Sequence, residues 1–230
     1  MAPSWSHTSS LPNKIAMNPL SRSLPDRSRS VIDYRQLAST YDASCQRIEY
    51  IRDTAIDALQ LQPGQTVLDI ACGTGASLLE LSRRVGPQGR VIGIDHSPDM
   101  VAVARQRVSA SSAQNIELLV EPIESAFVKH KADALLFCFA HDVLHSREAL
   151  RNVFSLARRS ARIVTVGAKL VDSWWAGPLN AWVHWRGRRY RTTELGLECP
   201  WRLLREYCPE IRVTKTFHLG TSYLAEGIFS

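Results

Sequence analysis

Between Thr66 and Val166 short β-branched or apolar runs alternate with segments of helical periodicity, and no other feature constrains the fold as strongly. Thr66–Ala71, Arg90–Asp95, Ile116–Val120, Ala132–Phe139 and Arg162–Val166 read as strands. Between them lie helical runs from Ala76 to Val85, from Ser97-Pro98-Asp99 through Met100, Ala104 and Val108, and from Ser146 through Leu150, Val153, Phe154 and Ala157. Ser97 and Ser146 are placed to accept from orphan N–H groups, and Pro98 suits a first helical position. A strand that returns through a helix becomes a parallel neighbour, and right-handed crossovers put helices on both faces. The expected fold is therefore α/β, doubly wound and mostly parallel.

The end of the chain departs from this rhythm. Pro200 opens an expected helix carrying Leu203, Leu204 and Tyr207, which stops at Pro209. Ile211–Leu219 and Ser222–Ile228 are strand candidates joined at Gly220-Thr221. So short a connection makes a hairpin, so one strand must run antiparallel. This gives a seven-stranded sheet with a C-terminal antiparallel hairpin strand.

Residues 1–30 are rich in Ser, Pro and Arg and lack periodicity, so they read as a mobile tail. Pro12, Pro19 and Pro25 argue against an amphipathic transit helix, and Met17 is an alternative start. Residues 31–230 form one domain, with a helical lid region at 31–62 and a Trp/Arg-rich cover at 170–201. No apolar segment suits a membrane span, and five cysteines without a CxxC pair read as free thiols, giving a cytoplasmic expectation. The net charge is +6. Lys14, Arg22, Arg27 and Arg29 against Asp26 put +3 of it in the first 30 residues, leaving the folded part too weakly basic for a strong nucleic-acid binder.

The sharpest local signal is Val67-Leu-Asp-Ile-Ala-Cys-Gly-Thr-Gly75, between a strand and a helix. Gly73 and Gly75 permit a tight turn and close approach of backbone to a ligand, beside the N–H groups of a helix start. Asp95 ends the next strand, where a carboxylate can accept from both ribose hydroxyls. A dinucleotide site would need a third glycine where Leu78 stands. Asp69 would repel a pyrophosphate but suits an ammonium, directly or through water. Ribose, adenine, ammonium and no phosphate describe S-adenosylmethionine.

Val67–Gly75 with Gly93-Ile-Asp95 resembles the first two motifs of class I S-adenosylmethionine-dependent methyltransferases. The resemblance covers about residues 34–170 and, in outline, the hairpin; Ala71 stands where glycine is commonest. It implies that Asp69, Gly73 and Gly75 contact the methionine end of the cofactor. By the same resemblance Asp95 holds the ribose, with His96 and Met100 on the adenine side. Glu121, Pro122 and Ile123 follow the third strand, where the family reads adenine. Phe139 to Asp142 ends the fourth strand beside the reactive methyl, and Tyr34 and Tyr41 match positions that often form a lid.

The acceptor side is less legible. Methyl transfer is an in-line displacement that needs alignment and a dry site, and a base only if a proton must leave. His141 is the better base candidate of His141-Asp-Val-Leu-His145, a pair whose spacing could bind metal but lacks a third ligand, so no metal is assigned. The competing role for His141 is structural. Tyr190 is a second candidate for the reaction zone. Residues 170–201 hold Trp174, Trp175, Trp182, Trp185 and Trp201 with Arg186, Arg188, Arg189 and Arg191. They read as an apolar or aromatic acceptor pocket, or as cation–π contacts to an amine, as an interfacial segment touching a membrane at 174–191, or as packing with a solvated basic face.

The expected function is methyl transfer to a small, partly apolar metabolite. Alternatives are cyclisation of the cofactor's amino-acid part to azetidine-2-carboxylate with release of methylthioadenosine, lipid-headgroup N-methylation, or a non-catalytic binding module; His141-Asp-Val-Leu, Gly167-Ala-Lys and the Trp-rich insertion together look similar to small methyltransferases often assigned to lipid-headgroup or small-metabolite N-methylation. Phe139-Ala-His-Asp142 in place of an Asn-Pro-Pro-Tyr-like run argues against nucleic-acid methylation.

Overall fold

The computed structural model describes residues 48–188 and 190–230. The expectations for 1–30, for the start of the lid region with Tyr34 and Tyr41, and for Arg189 lie outside these residues. Seven strands form one sheet: β1 (Thr66–Ile70), β2 (Arg90–Asp95), β3 (Ile116–Val120), β4 (Ala132–Cys138), β5 (Ala157–Ala168), β6 (Arg212–Phe217) and β7 (Ser222–Ile228). Their order is β3-β2-β1-β4-β5-β7-β6. The first five pair in parallel, and β7 runs antiparallel to both β5 and β6. This is the expected doubly wound sheet with its antiparallel hairpin strand.

Helices α1 (Glu49–Ala58), α2 (Leu78–Val85) and α3 (Pro98–Ser109) pack on one face, where Ile51, Ile56, Leu78, Leu81 and Ala104 meet Val67, Val91 and Leu136. A short α4 (His141–Leu144) leads into α5 (Arg147–Leu156), whose Leu150, Val153 and Phe154 cover the other face against Leu68, Phe137 and Tyr223. Both faces of the central strands are thus buried, which is why their sequences read as near-continuous apolar runs. The helix starts are capped as the serines suggest: Ser97 Oγ accepts from Met100 N at 3.4 Å and Ser146 Oγ from Ala149 N at 3.2 Å.

Several boundaries differ from expectation. β5 starts at Ala157, directly after α5, and pairs with β4 across a register shift between Ala132 and Ala134. β4 ends at Cys138, so Phe139 lies beyond the strand. The helix expected between Pro200 and Pro209 is only a 3-10 turn at Leu203–Glu206. β6 stops at Phe217, because His218, Leu219 and Gly220 all take positive φ and wind into a tight turn. The outer strand β6 carries Arg212 and Lys215, and its pairing with β7 shifts register between Val213 and Lys215. α6 (Gly177–Gly187), in the cover segment after β5, completes the fold.

Candidate active site

The parallel strands β1, β2 and β4 end on the same edge of the sheet, at the point where strand order reverses from β1 to β4. In such sheets ligands bind in this crevice. At the end of β1, Ala71, Gly73 and Gly75 take φ of 57°, 54° and 74°. The left-handed conformation is easy for the two glycines and strained for Ala71. The two glycines serve different ends. A Cβ on Gly73 would meet nothing within 4 Å, so this side of the turn is open. A Cβ on Gly75 would lie 2.7 Å from Leu78 Cδ1 and 2.9 Å from Ala104 Cβ, so Gly75 lets α2 and α3 close on the turn.

Asp95 fixes this turn from β2. One carboxylate oxygen accepts from Gly73 N at 2.9 Å and the other from Ser97 N at 2.8 Å. A carboxylate has about four acceptor sites, so two remain for a ribose diol. Burial raises the Asp95 pKa, against the lowering by its backbone N–H partners and by His96. His96 Nδ1 lies 3.8 Å from Asp95 Oδ1, while its Nε2 is buried without a partner.

Asp69 is more unusual. It is buried in β1, its Oδ2 has no hydrogen-bond partner, and its pKa is raised to about 7. Burial is the main cause, opposed by Arg52 and reinforced by the nearby Asp95 charge. An orphaned carboxylate beside an open glycine turn fits a ligand that carries its own positive charge. An ammonium-bearing nucleoside without phosphate fits these residues.

The other sequence candidates spread around this edge. Met100 is buried at the first turn of α3, and Ile123 is buried beyond β3 with Pro122 half-buried. Glu121 is exposed, and its backbone N–H donates to Asp95 O at 3.2 Å. Phe139 takes φ of 58° and donates its N–H to Val166 O at 2.8 Å. A bulky side chain in that region is a true outlier, and such strain clusters at functional sites.

Phe139 lines a cavity of about 880 Å³ beyond the end of β4. Its walls include Leu144, Leu179, Trp182, Val183, Tyr190 and Tyr223, so the lining is mostly apolar, and α6 forms one side of it. His141 and Tyr190 both line it. His141 packs on His145 with ring centroids 4.4 Å apart, and its Nε2 is buried without a partner. Its pKa is lowered to about 3, by burial first and then by the His145 and Arg191 charges. The imidazole is therefore neutral throughout the physiological range, ready to hydrogen-bond but a feeble base. Asp142 ties α4 to the cover segment, accepting from Thr192 N at 3.0 Å and from Thr192 Oγ1 at 2.6 Å.

Sequence reasoning missed the hairpin's contribution. His218, Leu219, Thr221 and Ser222 close one end of the cavity, with Tyr50 Oη 3.1 Å from His218 Nε2. Neither His218 nor Leu219 signals such a turn by its residue type; Gly220 alone does. The tryptophans divide: Trp201 is buried in the core, whereas Trp174 is 97% exposed and Trp185 69%, with Trp175 and Trp182 also exposed. Packing accounts for the first and not for the other four.

Residues 61–176, half of the chain, match the family model described as a methyltransferase domain. Demethylmenaquinone methyltransferase from Bacillus cereus strain B4264 is 29% identical over 147 residues, which are 60% of this chain and 58% of that protein. An uncharacterised 37.1 kDa protein in a transposon of Streptomyces fradiae is 39% identical over 87 residues, 38% of this chain and 24% of that one. The chain thus spans less than two thirds of these relatives. Among solved structures, an O-methyltransferase family protein from Burkholderia thailandensis superposes with a TM-score of 0.67 at 20% identity, covering 88% of this chain and 62% of the other. A SAM-dependent methyltransferase from Aquifex aeolicus gives 0.58 at 21% identity, covering 87% and 98%. These likenesses agree on the fold, and the family match spans the glycine turn, Asp69, Asp95 and the edge where the cavity opens: the chain belongs to the methyltransferase domain family.

Proposed function

We propose that this protein transfers a methyl group from S-adenosylmethionine to a small, partly apolar acceptor. One observation carries the reading: an orphaned buried carboxylate at an open glycine turn stands one strand away from a roomy aromatic cavity. The cofactor, when bound, supplies an electrophilic methyl on a positively charged sulfur. Asp69 would hold its ammonium and Asp95 its ribose. Gly73 gives the backbone close approach, with Gly75 completing the turn. His96, Met100, Pro122 and Ile123 would enclose the adenine, with Glu121 at its exposed edge and Tyr34 and Tyr41 as lid. Phe139 divides this region from the acceptor. His141, held neutral, orients the acceptor by hydrogen bonding, with Tyr190 beside it. The mostly apolar walls lower the polarity around the reacting atoms. The cavity's volume leaves room for a second substrate, which favours transfer over cyclisation of the cofactor alone.

The cover segment supports a second contact, with a membrane surface through 174–191. Pro178, Ala181, Trp182 and Trp185 follow i, i+3, i+4, i+7 spacing on α6 and are all exposed, with Trp174 and Trp175 just before them. Arg186 and Arg188 are exposed beside this stripe and α6 contains no acidic residue. An apolar stripe with basic flanks suits an anionic bilayer surface. No helix among the described residues is long and apolar enough to cross a membrane.

Incubation with S-adenosylmethionine tests the main reading. S-adenosylhomocysteine formed only with an acceptor supports it; methylthioadenosine formed without one overturns it in favour of cyclisation. Absence of S-adenosylhomocysteine binding by calorimetry overturns the cofactor assignment altogether.

A further inference from the structure

Two arginines, Arg186 and Arg191, line the acceptor cavity, and no Asp or Glu does among the described residues. Arg191 is the group that matters most, because it is only 6% exposed whereas Arg186 is at the solvent-facing surface. A buried guanidinium costs several kcal/mol of lost hydration unless its donors are satisfied.

Those donors are only partly used. Arg191 Nη2 donates to Glu194 Oε2 at 2.9 Å and reaches Val183 O at 3.4 Å. Glu194 Oε2 is itself shared with His184 Nδ1 at 2.7 Å. Arg191 Nε is buried with no partner at all. A guanidinium offers five N–H donors in a rigid fork, a shape that matches a carboxylate. Glycine is also required to seat it: a Cβ on Gly187 would fall 2.0 Å from Arg191 Nη1. The end of α6 is thus shaped around this one cation, which faces a mostly apolar chamber.

We infer that the cavity takes an apolar acid, an acceptor whose anionic oxygen group is held by Arg191. The inference rests on the cavity being the acceptor site and names the acceptor's class. Charge and setting agree. Arg191 is ion-paired to Glu194 through Nη2, so the recognition falls to the fork's unused Nε–H, which an anionic oxygen can accept from and an ammonium cannot. His141, whose Nε2 is likewise unpartnered, stays uncharged beside Arg191 and so leaves the guanidinium as the buried cation.

Three matched probes test this: 1-naphthoate, 1-naphthamide and 1-naphthylmethylammonium, titrated by calorimetry into full-length protein saturated with S-adenosylhomocysteine. The naphthoate is expected to bind at least about tenfold tighter than the amide, the ammonium weakest of all. Arg191→Gln should erase the preference for naphthoate over naphthamide, Arg191→Lys should keep part of it, and Arg188→Gln, outside the cavity, should leave it intact. Equal binding of naphthoate and naphthamide by the unmodified protein overturns the inference, as does a preference that survives Arg191→Gln. If Arg191→Gln fails to fold, Arg191→Gln/Glu194→Gln removes the uncompensated carboxylate, and the ranking in unmodified protein still decides. Loss of S-adenosylhomocysteine binding would instead strike the cofactor assignment, and the naphthoate ranking measured without it would still judge Arg191.

Discussion

Replacing Asp69 by Asn should stabilise the cofactor-free protein, and by an amount that grows with pH. Burial raises the Asp69 carboxyl from its ordinary 3.8 to about 7. Between these values the folded protein holds a proton on Asp69 that the unfolded chain has released. Stability from this group is therefore fully present below pH 4 and is lost as pH rises through 7. About three pH units at about 1.36 kcal/mol each make the ionised side chain cost roughly 4 kcal/mol above pH 7, an order-of-magnitude figure. Asn has the same shape and no charge to bury, so it escapes this loss. Urea denaturation at pH 5 and pH 8, without ligand, should show Asp69→Asn gaining roughly 2 kcal/mol at pH 5 and roughly 4 kcal/mol at pH 8. Asp95 is common to both proteins and largely cancels. The function should move the other way. S-adenosylhomocysteine carries an ammonium, so its affinity for unmodified protein should rise with pH up to about 7 and then level off. The Asn variant should bind it weakly and with a flat profile. A stability difference that is the same at both pH values would refute the reasoning, because it would mean that Asp69 is ionised in the folded state at pH 5.

Asp95→Ala removes the acceptor of both Gly73 N–H and Ser97 N–H; calorimetry should show S-adenosylhomocysteine affinity falling at least about tenfold, and unchanged affinity would unseat Asp95 from the site. Ala71→Gly relieves a left-handed alanine at φ 57°; urea midpoints should show a gain of up to about 1 kcal/mol after the entropy of the added glycine is set against the strain, and a less stable variant would contradict this. Trp174→Ala/Trp185→Ala should lower co-sedimentation with phosphatidylglycerol-containing vesicles severalfold while leaving S-adenosylhomocysteine binding unchanged; unmodified protein that ignores such vesicles would dismiss the membrane contact.

The parts of the fold that the sequence revealed are those with local causes. Strands buried on both faces wrote themselves as apolar runs such as Val91-Ile-Gly-Ile94, and the cap at Ser97 needed only the three residues after it. The glycine turn and Asp95 were legible for the same reason, since strand, turn and next strand follow each other in the chain. Where distant segments decide, the reading failed. Leu203, Leu204 and Tyr207 have helical spacing, but the segment forms only a 3-10 turn at Leu203–Glu206, pinned by Leu204 in the core. The hairpin end entered the acceptor cavity unseen, because His218 and Leu219 take positive φ that neither residue type announces. Five tryptophans in one segment gave no hint that Trp201 would go inside and Trp174 outside, since that choice belongs to what the segment packs against.

The outer strand β6 has one more consequence. A sheet whose last strand is long, regular and apolar invites the next molecule to add its own. Here the margin carries two cations, Arg212 and Lys215, and loses step with its neighbour between Val213 and Lys215. Like charges would oppose a second copy laid alongside, and the slipped register breaks the row of amides it would need. That border works against strand addition at this edge of the sheet.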